Sequence, residues 1–163
     1  MIAYEKATRE ILNRIWDKSI EENPEDHRYI RWKQQFLSDN ETGAAATFVI
    51  LADGDPVGEG TLLLSPDCRA IRGRRELCDG EKTANINALR VQKEYEDQGH
   101  ISALMNTMER YARSIGIETL TIGVETAETR NLAIYLHWGF TEYILSEEED
   151  DTLVLYYGKP LED

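Results

Sequence analysis

Two amphipathic patterns open the chain. In residues 5–22 the apolar positions recur at spacings of three, four and five, as they do on the buried face of a helix. These positions are Ile11, Leu12, Ile15, Trp16 and Ile20. Asn23-Pro24 then ends the pattern. A similar apolar stripe predicts a second helix over 26–38, and a loop is predicted for 39–43.

The next segments have the pattern of a β-hairpin followed by a loop. The runs 46–52 and 57–64 are rich in β-forming residues and flank the turn cluster Asp53-Gly54-Asp55-Pro56, so we expect antiparallel pairing. Residues 65–82 contain two glycines and four arginines and no strong periodicity. This pattern predicts an exposed insertion with solvated arginines.

A strand–helix–strand unit is predicted in the second half of the chain. The strand-like run 84–91 leads through a polar loop to Gly99 and a helical pattern that reaches Ile115. Gly116 is the expected left-handed residue after that helix. A further strand follows at 118–124. Two strands joined by a helix of this length are parallel, with a right-handed crossover.

The last part of the chain predicts one more helix and two strands. The helix covers 129–138 and ends at Gly139, and the strands cover 140–145 and 152–157. Between the strands, the acidic run 147–151 is expected to be a solvated turn.

Composition narrows the class of protein. The 163 residues fit one domain, and 41% hydrophobic with 30% charged residues is typical of a folded, soluble protein. The N-terminus lacks the pattern of a secretory signal, and no apolar run approaches the ~18 residues needed to span a bilayer. We therefore expect a cytoplasmic protein with no membrane partner. Cys68 and Cys78 lack the spacing of a zinc site or a disulfide framework, so no metal is expected.

The net charge of −13 disfavours nucleic acid as a partner. Binding to a phosphodiester backbone requires clustered Lys and Arg, which release counterions. The same negative charge would attract an amine or polyamine, although an acidic surface more often serves only solubility.

The loop before the helix at Gly99 suits an anionic ligand. Free N–H groups and the positive end of the helix dipole converge at a helix N-terminus, and Gly99 permits close approach of the backbone to a pyrophosphate. By itself, the pattern is more typical of an ordinary strand-to-helix loop whose glycine only makes the turn.

A second candidate element is the short helix that contains Tyr135. Tyr135 lies one turn before Gly139-Phe140, and Asn131, four residues earlier, shares its helix face. The alternative is that Tyr135 is a core aromatic that packs beside Trp138 and Phe140.

Taken in order, these elements resemble the core of the GNAT (GCN5-related) N-acetyltransferase superfamily. The resemblance rests on a strand ending L-R-V, the loop K-E-Y-E-D-Q-G-H-I-S-A-L, a long helix, the strand T-L-T-I-G-V and the segment N-L-A-I-Y-L-H-W-G-F. It implies an α/β (α+β) single domain with a mixed sheet that splays between two parallel strands and has helices on both faces. Residues 1–83 would form the acceptor side, 84–140 the acyl-CoA-binding core and 141–163 the C-terminal strands.

The resemblance also implies which residues bind the coenzyme. Pantetheine would bond to the backbone of the strand that ends at 89–91, as an added strand would. The family signature Q/R-x-x-G-x-G/A falls on 96–101, where Glu96, Asp97 and Ile101 depart from it. The implied coenzyme-binding residues are Leu89, Val91, Gln98, Gly99, His100, Ile101, Ser102, Ala103 and Asn131.

Catalytic roles follow from the same resemblance. Tyr135 would give a proton to the departing thiolate, and main-chain N–H near Val91 would polarise the acyl carbonyl. Glu125, at the end of its strand, is the first candidate for the general base. Glu59 is a second candidate, and water could serve instead.

The implied function is transfer of an acetyl group from acetyl-CoA, as cosubstrate, to a primary amine of a small molecule or peptide by direct attack. A homodimer is also implied. The departures at Glu96, Asp97 and Ile101 leave open a non-catalytic acyl-CoA-binding or regulatory module. An unrelated α+β domain would require two independent coincidences in the right order.

Overall fold

A computed structural model describes residues 1–162 of the chain. It contains four α-helices and seven β-strands. In chain order these are β1 (Ile2–Lys6), α1 (Arg9–Glu22), α2 (Arg28–Thr42), β2 (Ala45–Ala52), β3 (Asp55–Leu63), β4 (Thr83–Val91), α3 (His100–Ser114), β5 (Thr119–Glu125), α4 (Thr129–His137), β6 (Glu142–Glu149) and β7 (Thr152–Pro160).

The strands form a seven-stranded mixed sheet in the order β1-β2-β3-β4-β5-β7-β6. β4 and β5 are parallel, with Thr83–Ile86 paired to Thr119–Ile122. β1 with β2, β5 with β7, and β6 with β7 are antiparallel. The predicted mixed α/β fold is therefore confirmed, as is the parallel pair on either side of α3.

The chain divides into two compact units. The first comprises Met1–Leu62 and Ala88–Met108, and the second comprises Leu63–Asn87 and 109–162. No helix in the described part of the chain combines the length and apolar character needed to cross a bilayer. The same described residues contain no group of three or more His, Cys, Asp or Glu that could hold a metal ion.

The start of the first unit differs from the sequence prediction. Ile2–Lys6 is a strand that pairs antiparallel with β2, and α1 begins only at Arg9. The helix starts there because the Thr8 hydroxyl caps it, accepting a hydrogen bond from the Ile11 N–H at 3.2 Å. The predicted helix start at residue 5 is therefore wrong.

The second helix runs four residues further than predicted, to Thr42, before Gly43 takes up a left-handed conformation at φ 84°. Asn40 joins the helix end to β2, since its side chain donates to the Thr47 hydroxyl at 3.0 Å and accepts from the Thr47 N–H at 2.8 Å. This tertiary contact keeps a polar segment helical.

In the second unit, the segment between β3 and β4 is packed, although an exposed insertion is predicted there. Ile71, Leu77 and Cys78 are buried. The Thr121 hydroxyl on β5 donates to the Leu77 carbonyl at 2.8 Å. The predicted exposure of this segment is wrong because its apolar residues are isolated: they show no periodicity along the sequence, yet they fill space next to the sheet.

Arg74 in this segment is buried rather than solvated, with a side chain only 9% exposed. Its guanidinium lies 3.1 Å from the Glu147 carboxylate and 3.6 Å from that of Glu149. It also donates to the Ala70 carbonyl at 2.8 Å and lies 4.9 Å from the ring centre of Tyr156. A buried arginine of this kind requires such partners.

Most of the acidic run 147–151 belongs to a strand, so the solvated turn is shorter than predicted. β6 continues to Glu149, and only Asp150 and Asp151 turn, at φ 51° and 64°. Glu149 stays in the strand because Arg72 and Arg74 neutralise it and the Tyr156 hydroxyl donates to it at 2.6 Å.

Replacing Arg74 with Met should destabilise the protein by about 3 kcal/mol, because it leaves Glu149 without its buried partner. Arg75→Met, at the adjacent exposed position, is the matched control and should change stability by less than about 0.5 kcal/mol. Urea denaturation followed by circular dichroism measures both. Equal effects of the two substitutions would show that the Arg74 ion pairs contribute nothing.

Candidate functional site

β4 changes direction at Ala88. This residue has φ 55°, a left-handed conformation that costs a non-glycine residue roughly 1–2 kcal/mol. The pairing of β4 with β5 covers Thr83–Ile86, before this point. A residue with positive φ interrupts the regular extended backbone of a strand.

After Ala88, β4 lies very close to β3 in the first unit. A Cβ on Gly58 would lie 2.9 Å from the Arg90 carbonyl oxygen and 3.3 Å from the Val91 Cα. A Cβ on Gly60 would lie 2.8 Å from Leu89 Cδ1. Two glycines in β3 therefore permit the approach that holds Leu89 and Val91, both predicted coenzyme-binding residues, in position.

The polar loop after β4 is tied back to the hairpin and then turns into α3. The Gln92 N–H donates to the Val57 carbonyl at 2.8 Å, and the Gln98 side chain donates to the Glu94 carbonyl at 2.9 Å. Gly99 has φ 83°, and no atom lies within 4 Å of the position of a Cβ there. Gly99 is therefore required by its backbone conformation and leaves open space beside the chain.

The predicted loop residues from Gln98 to Ala103 lie together at the N-terminus of α3. The first N–H groups of a helix have no partner within it and favour negative charge. Ser102 is exposed, while Ile101 is half-buried. Glu96 and Asp97 are exposed on the preceding turn, so their side chains reach solvent.

His100, the first residue of α3, is held from two sides. Its Nδ1 lies 2.8 Å from the Tyr4 hydroxyl, and its Nε2 lies 3.3 Å from Gln98 Oε1. Tyr4 comes from β1, a strand that the sequence pattern does not reveal. This contact is therefore absent from the sequence prediction.

A pocket of about 180 Å³ lies between α1, the start of β3 and the end of β4, within the first unit. Its charged lining residues are Arg14, Lys18, Glu22, Glu59 and Arg90. From the end of β4, Val91 also lines it. Sequence reasoning names Glu59 as a candidate but misses the three cations. Arg14 and Lys18 are four residues apart on one helix face, which is the signal that could have revealed two of them.

Glu59 lies deepest among these charges, with a side chain 12% exposed, and it is ion-paired with the Arg90 Nε. Burial raises the pKa of Glu59, while the charge and hydrogen bond of Arg90 and the charge of Lys18 oppose the rise. The Arg90 guanidinium also lies 5.9 Å from the ring centre of Trp16. The carboxylate is therefore both buried and held in one position.

In the second unit, α4 presents Tyr135 in a half-buried position. Its ring centre lies 6.0 Å from that of Trp138 and 6.4 Å from that of Phe140, so it does pack among aromatics. Burial, together with the negative charge of Glu128, raises the pKa of the Tyr135 phenol. The hydroxyl therefore remains protonated throughout the physiological pH range.

The two other predicted residues of this unit have different environments. Asn131 donates a hydrogen bond from its side chain to Glu128 Oε2 at 2.9 Å. Glu125 ends β5 with an exposed side chain, and its carbonyl accepts a hydrogen bond from the Glu128 N–H at 2.9 Å. The predicted residues thus fall into two groups, 89–103 in the first unit and 125–135 in the second.

Comparison with known proteins gives one family and many similar folds. A family model described as the acetyltransferase (GNAT) family matches residues 6–140. No curated protein matches the sequence.

Three similar solved structures are an IAA acetyltransferase from Bacillus cereus, the yncA protein of Salmonella typhimurium with its cofactor acetyl-CoA, and a ribosomal-protein-alanine N-acetyltransferase from Brucella melitensis. The first is 15% identical with a TM-score of 0.65, covering 99% of this chain and 100% of that one. The second is 10% identical with a TM-score of 0.72, covering 100% and 95%. The third is 14% identical with a TM-score of 0.70, covering 98% and 99%. At these identities the likeness is one of fold.

Ala88→Gly should leave stability unchanged or raise it by up to about 1 kcal/mol, because glycine adopts positive φ without steric cost. Ala84→Gly, in the same strand but buried and outside the positive-φ residues, should instead cost about 1 kcal/mol. Thermal unfolding of both variants checks the difference. Equal destabilisation would contradict a strained backbone at Ala88.

Proposed function

The chain belongs to the acetyltransferase (GNAT) family, and on this premise we propose that it acetylates a primary amine of a small molecule or peptide by direct attack, with Tyr135 as the general acid. Family membership rests on the match over residues 6–140. The protein is an acyl-CoA-dependent N-acetyltransferase, and acetyl-CoA is its cosubstrate. The observation that carries the assignment of the acid is the half-buried position of Tyr135 on α4, because a phenol with an ordinary pKa of about 10 is protonated at neutral pH and can donate its proton.

The reaction sets three tasks for the protein. The acceptor nitrogen forms a bond to the thioester carbonyl carbon, and the bond from that carbon to sulfur then breaks. A proton leaves the nitrogen for a base, and the departing sulfur receives a proton. Main-chain N–H groups aimed at the carbonyl oxygen stabilise the negative charge that develops on it.

We assign coenzyme binding to the residues that the family resemblance implies. The turn at Gly99 and the first N–H groups of α3, including that of Ser102, would face the pyrophosphate. Ala103, His100 and Gln98 flank them, and the Ala103 N–H already donates to the Gly99 carbonyl at 3.1 Å. The main chain of Leu89 and Val91 binds the pantetheine, and the Val91 region polarises the acyl carbonyl.

Binding of acetyl-CoA would shift the amide NMR signals of 98–103. Unchanged signals there at saturation would refute the assignment of the pyrophosphate to this loop. Ile101 and Asn131 are also assigned to coenzyme binding, although the side chain of Asn131 already donates to Glu128.

For the general base, the surroundings favour Glu59 over Glu125. A base works best when its pKa approaches the operating pH, and burial raises the pKa of Glu59 towards that range. Glu125 is exposed at the end of its strand, as carboxylates that only meet solvent commonly are. Glu125 stays the sequence prediction, and Glu59 is the candidate that the pocket supports.

Release of free CoA from acetyl-CoA, measured against amines of several classes, tests the function. Turnover with any primary amine supports it. The rival function is a non-catalytic acyl-CoA-binding module, and it is motivated by the acidic residues Glu96 and Asp97 on the coenzyme loop. Tight binding of acetyl-CoA in calorimetry, without turnover on any amine, would favour that module. Absence of binding would refute both functions.

The acceptor cannot be taken from the similar structures, whose names give different acceptors. The single-domain organisation, the homodimer and the cytoplasmic location expected from the sequence stay predictions. Sedimentation of the purified protein would decide the homodimer.

Tyr135→Phe should lower kcat by roughly 100-fold or more, because it removes the proton donor and keeps the ring. Its affinity for acetyl-CoA should stay close to that of the wild type, since the aromatic packing is retained. Tyr143→Phe is the control, because that ring is 57% exposed. Full turnover by Tyr135→Phe would defeat the assignment of the acid.

Glu59→Gln should reduce kcat/KM by roughly 100-fold at neutral pH, and Glu125→Gln should not. The base must be ionised to accept a proton, so wild-type activity rises as the pH increases through the raised pKa of Glu59. The deficit of Glu59→Gln should shrink at alkaline pH, where the acceptor amine loses its proton to solvent. A large loss of kcat/KM in Glu125→Gln alone would identify Glu125 as the general base instead.

A further inference from the structure

The pocket of the first unit is much less acidic than the protein as a whole. Three cations and two carboxylates line it, a net charge of +1, whereas the chain as a whole carries −13. The cations are Arg14, Lys18 and Arg90, and the carboxylates are Glu22 and Glu59. Arg14 is also neutralised by Asp55, next to the pocket. With its cations and carboxylates paired, the pocket suits a ligand that carries both a positive and a negative group.

The charges also differ in depth. Glu59 is 12% exposed and lies at the β3–β4 side of the pocket with Arg90. Lys18 and Arg14 lie on α1 and are 54% and 46% exposed. The pocket thus has a buried carboxylate on the sheet side and cations on the helix side.

Of the two cations on α1, Lys18 has the looser partner. Arg14 makes a 2.8 Å ion pair with Asp55 and donates to the Gly54 carbonyl at 3.3 Å. The ammonium of Lys18 lies 4.0 Å from Glu22, beyond hydrogen-bond distance. Lys18 is therefore the group on this side most able to exchange its partner for an incoming anion.

We propose that the acceptor is a small zwitterionic amine of the amino-acid class, whose amino group binds at Glu59 and whose carboxylate is held by Lys18, with Arg14 beside it. This inference rests on the proposed function, because it identifies the pocket as the acceptor site. Val91, whose main chain is assigned to the acyl carbonyl, lines the same pocket. The ammonium group first gives one proton to Glu59, and the neutral nitrogen then bonds to the acyl carbon. The second proton that the nitrogen loses on forming the amide goes to solvent.

Size and charge disfavour the other classes of amine. The volume of about 180 Å³ is close to the roughly 150 Å³ of a protein cavity that holds one benzene molecule, so it suits an acceptor with few heavy atoms. Polyamines and aminoglycosides carry several positive charges and no carboxylate, so they would bring extra cations beside Lys18 and offer it no anionic partner. An internal peptide residue has no free carboxylate to meet Lys18.

Matched pairs of acceptors test the proposal. The kcat/KM for an amino acid is compared with that for its amide and for the amine left after decarboxylation, and spermidine and a short peptide serve as further acceptors. Loss of one charge-assisted bond costs about tenfold in affinity or more. We therefore expect the amino acid to be preferred by at least about tenfold over both matched analogues.

Lys18→Gln should lower this preference towards one, chiefly by raising the KM for the amino acid. Lys82→Gln is the matched control, since Lys82 is an exposed lysine of the second unit with an ion pair to Glu118 at 3.7 Å, and it should keep the preference. Equal kcat/KM for an amino acid and its decarboxylated amine, or a preference for spermidine or the peptide, would overturn the proposal while leaving acetyl transfer intact.

Calorimetry separates this failure from a failure of the proposed function. Amino-acid binding that is at least about tenfold tighter than binding of the decarboxylated amine, and that weakens in Lys18→Gln, supports the pocket even without CoA release. In that case only the proposed acetyl transfer fails. Absence of both binding preference and turnover overturns both.

Discussion

The left-handed backbone at Ala88 is the constraint on which the rest of the first unit depends. A strand that continued regularly would keep one alternation of its side chains from end to end. Beyond the irregular residue Ala88, Arg90 pairs with Glu59, and both residues line the pocket together with Val91. β3 can lie this close to β4 at Gly58 because glycine has no side chain to collide with the Arg90 carbonyl.

Two buried charges in the described part of the chain, Arg74 and Glu59, serve different uses. Around Arg74 the arginine is enclosed by two carboxylates, a tyrosine and backbone carbonyls, and this closed arrangement stabilises structure. Around Glu59 the partner Arg90 is 46% exposed, and the pair lines an open cavity. A buried charge with an incomplete shell of partners retains the ability to bind a ligand, because that ligand supplies the missing interaction.

Elements whose formation depends on neighbouring residues in the sequence were predictable, whereas elements that depend on distant residues were not. The parallel pair around α3 and the helix with Tyr135 follow from periodicity and from the glycines that end each helix. The strand at Ile2–Lys6 shows no such pattern, because its existence depends on pairing with β2. Likewise, the acidic Glu147 and Glu149 become strand residues only because Arg74, far away in sequence, neutralises them.

By itself, the sequence determined the order of the elements, the family resemblance and the candidates Gly99, Tyr135 and Glu59. Each depends on spacing along the chain, and spacing is a local property. Tertiary structure alone decided that Lys18 on α1 and Glu59 on β3 line one pocket and that Glu59 is buried. The physical reason is that burial and charge pairing depend on which distant residues approach, and a pattern of single positions does not encode that approach.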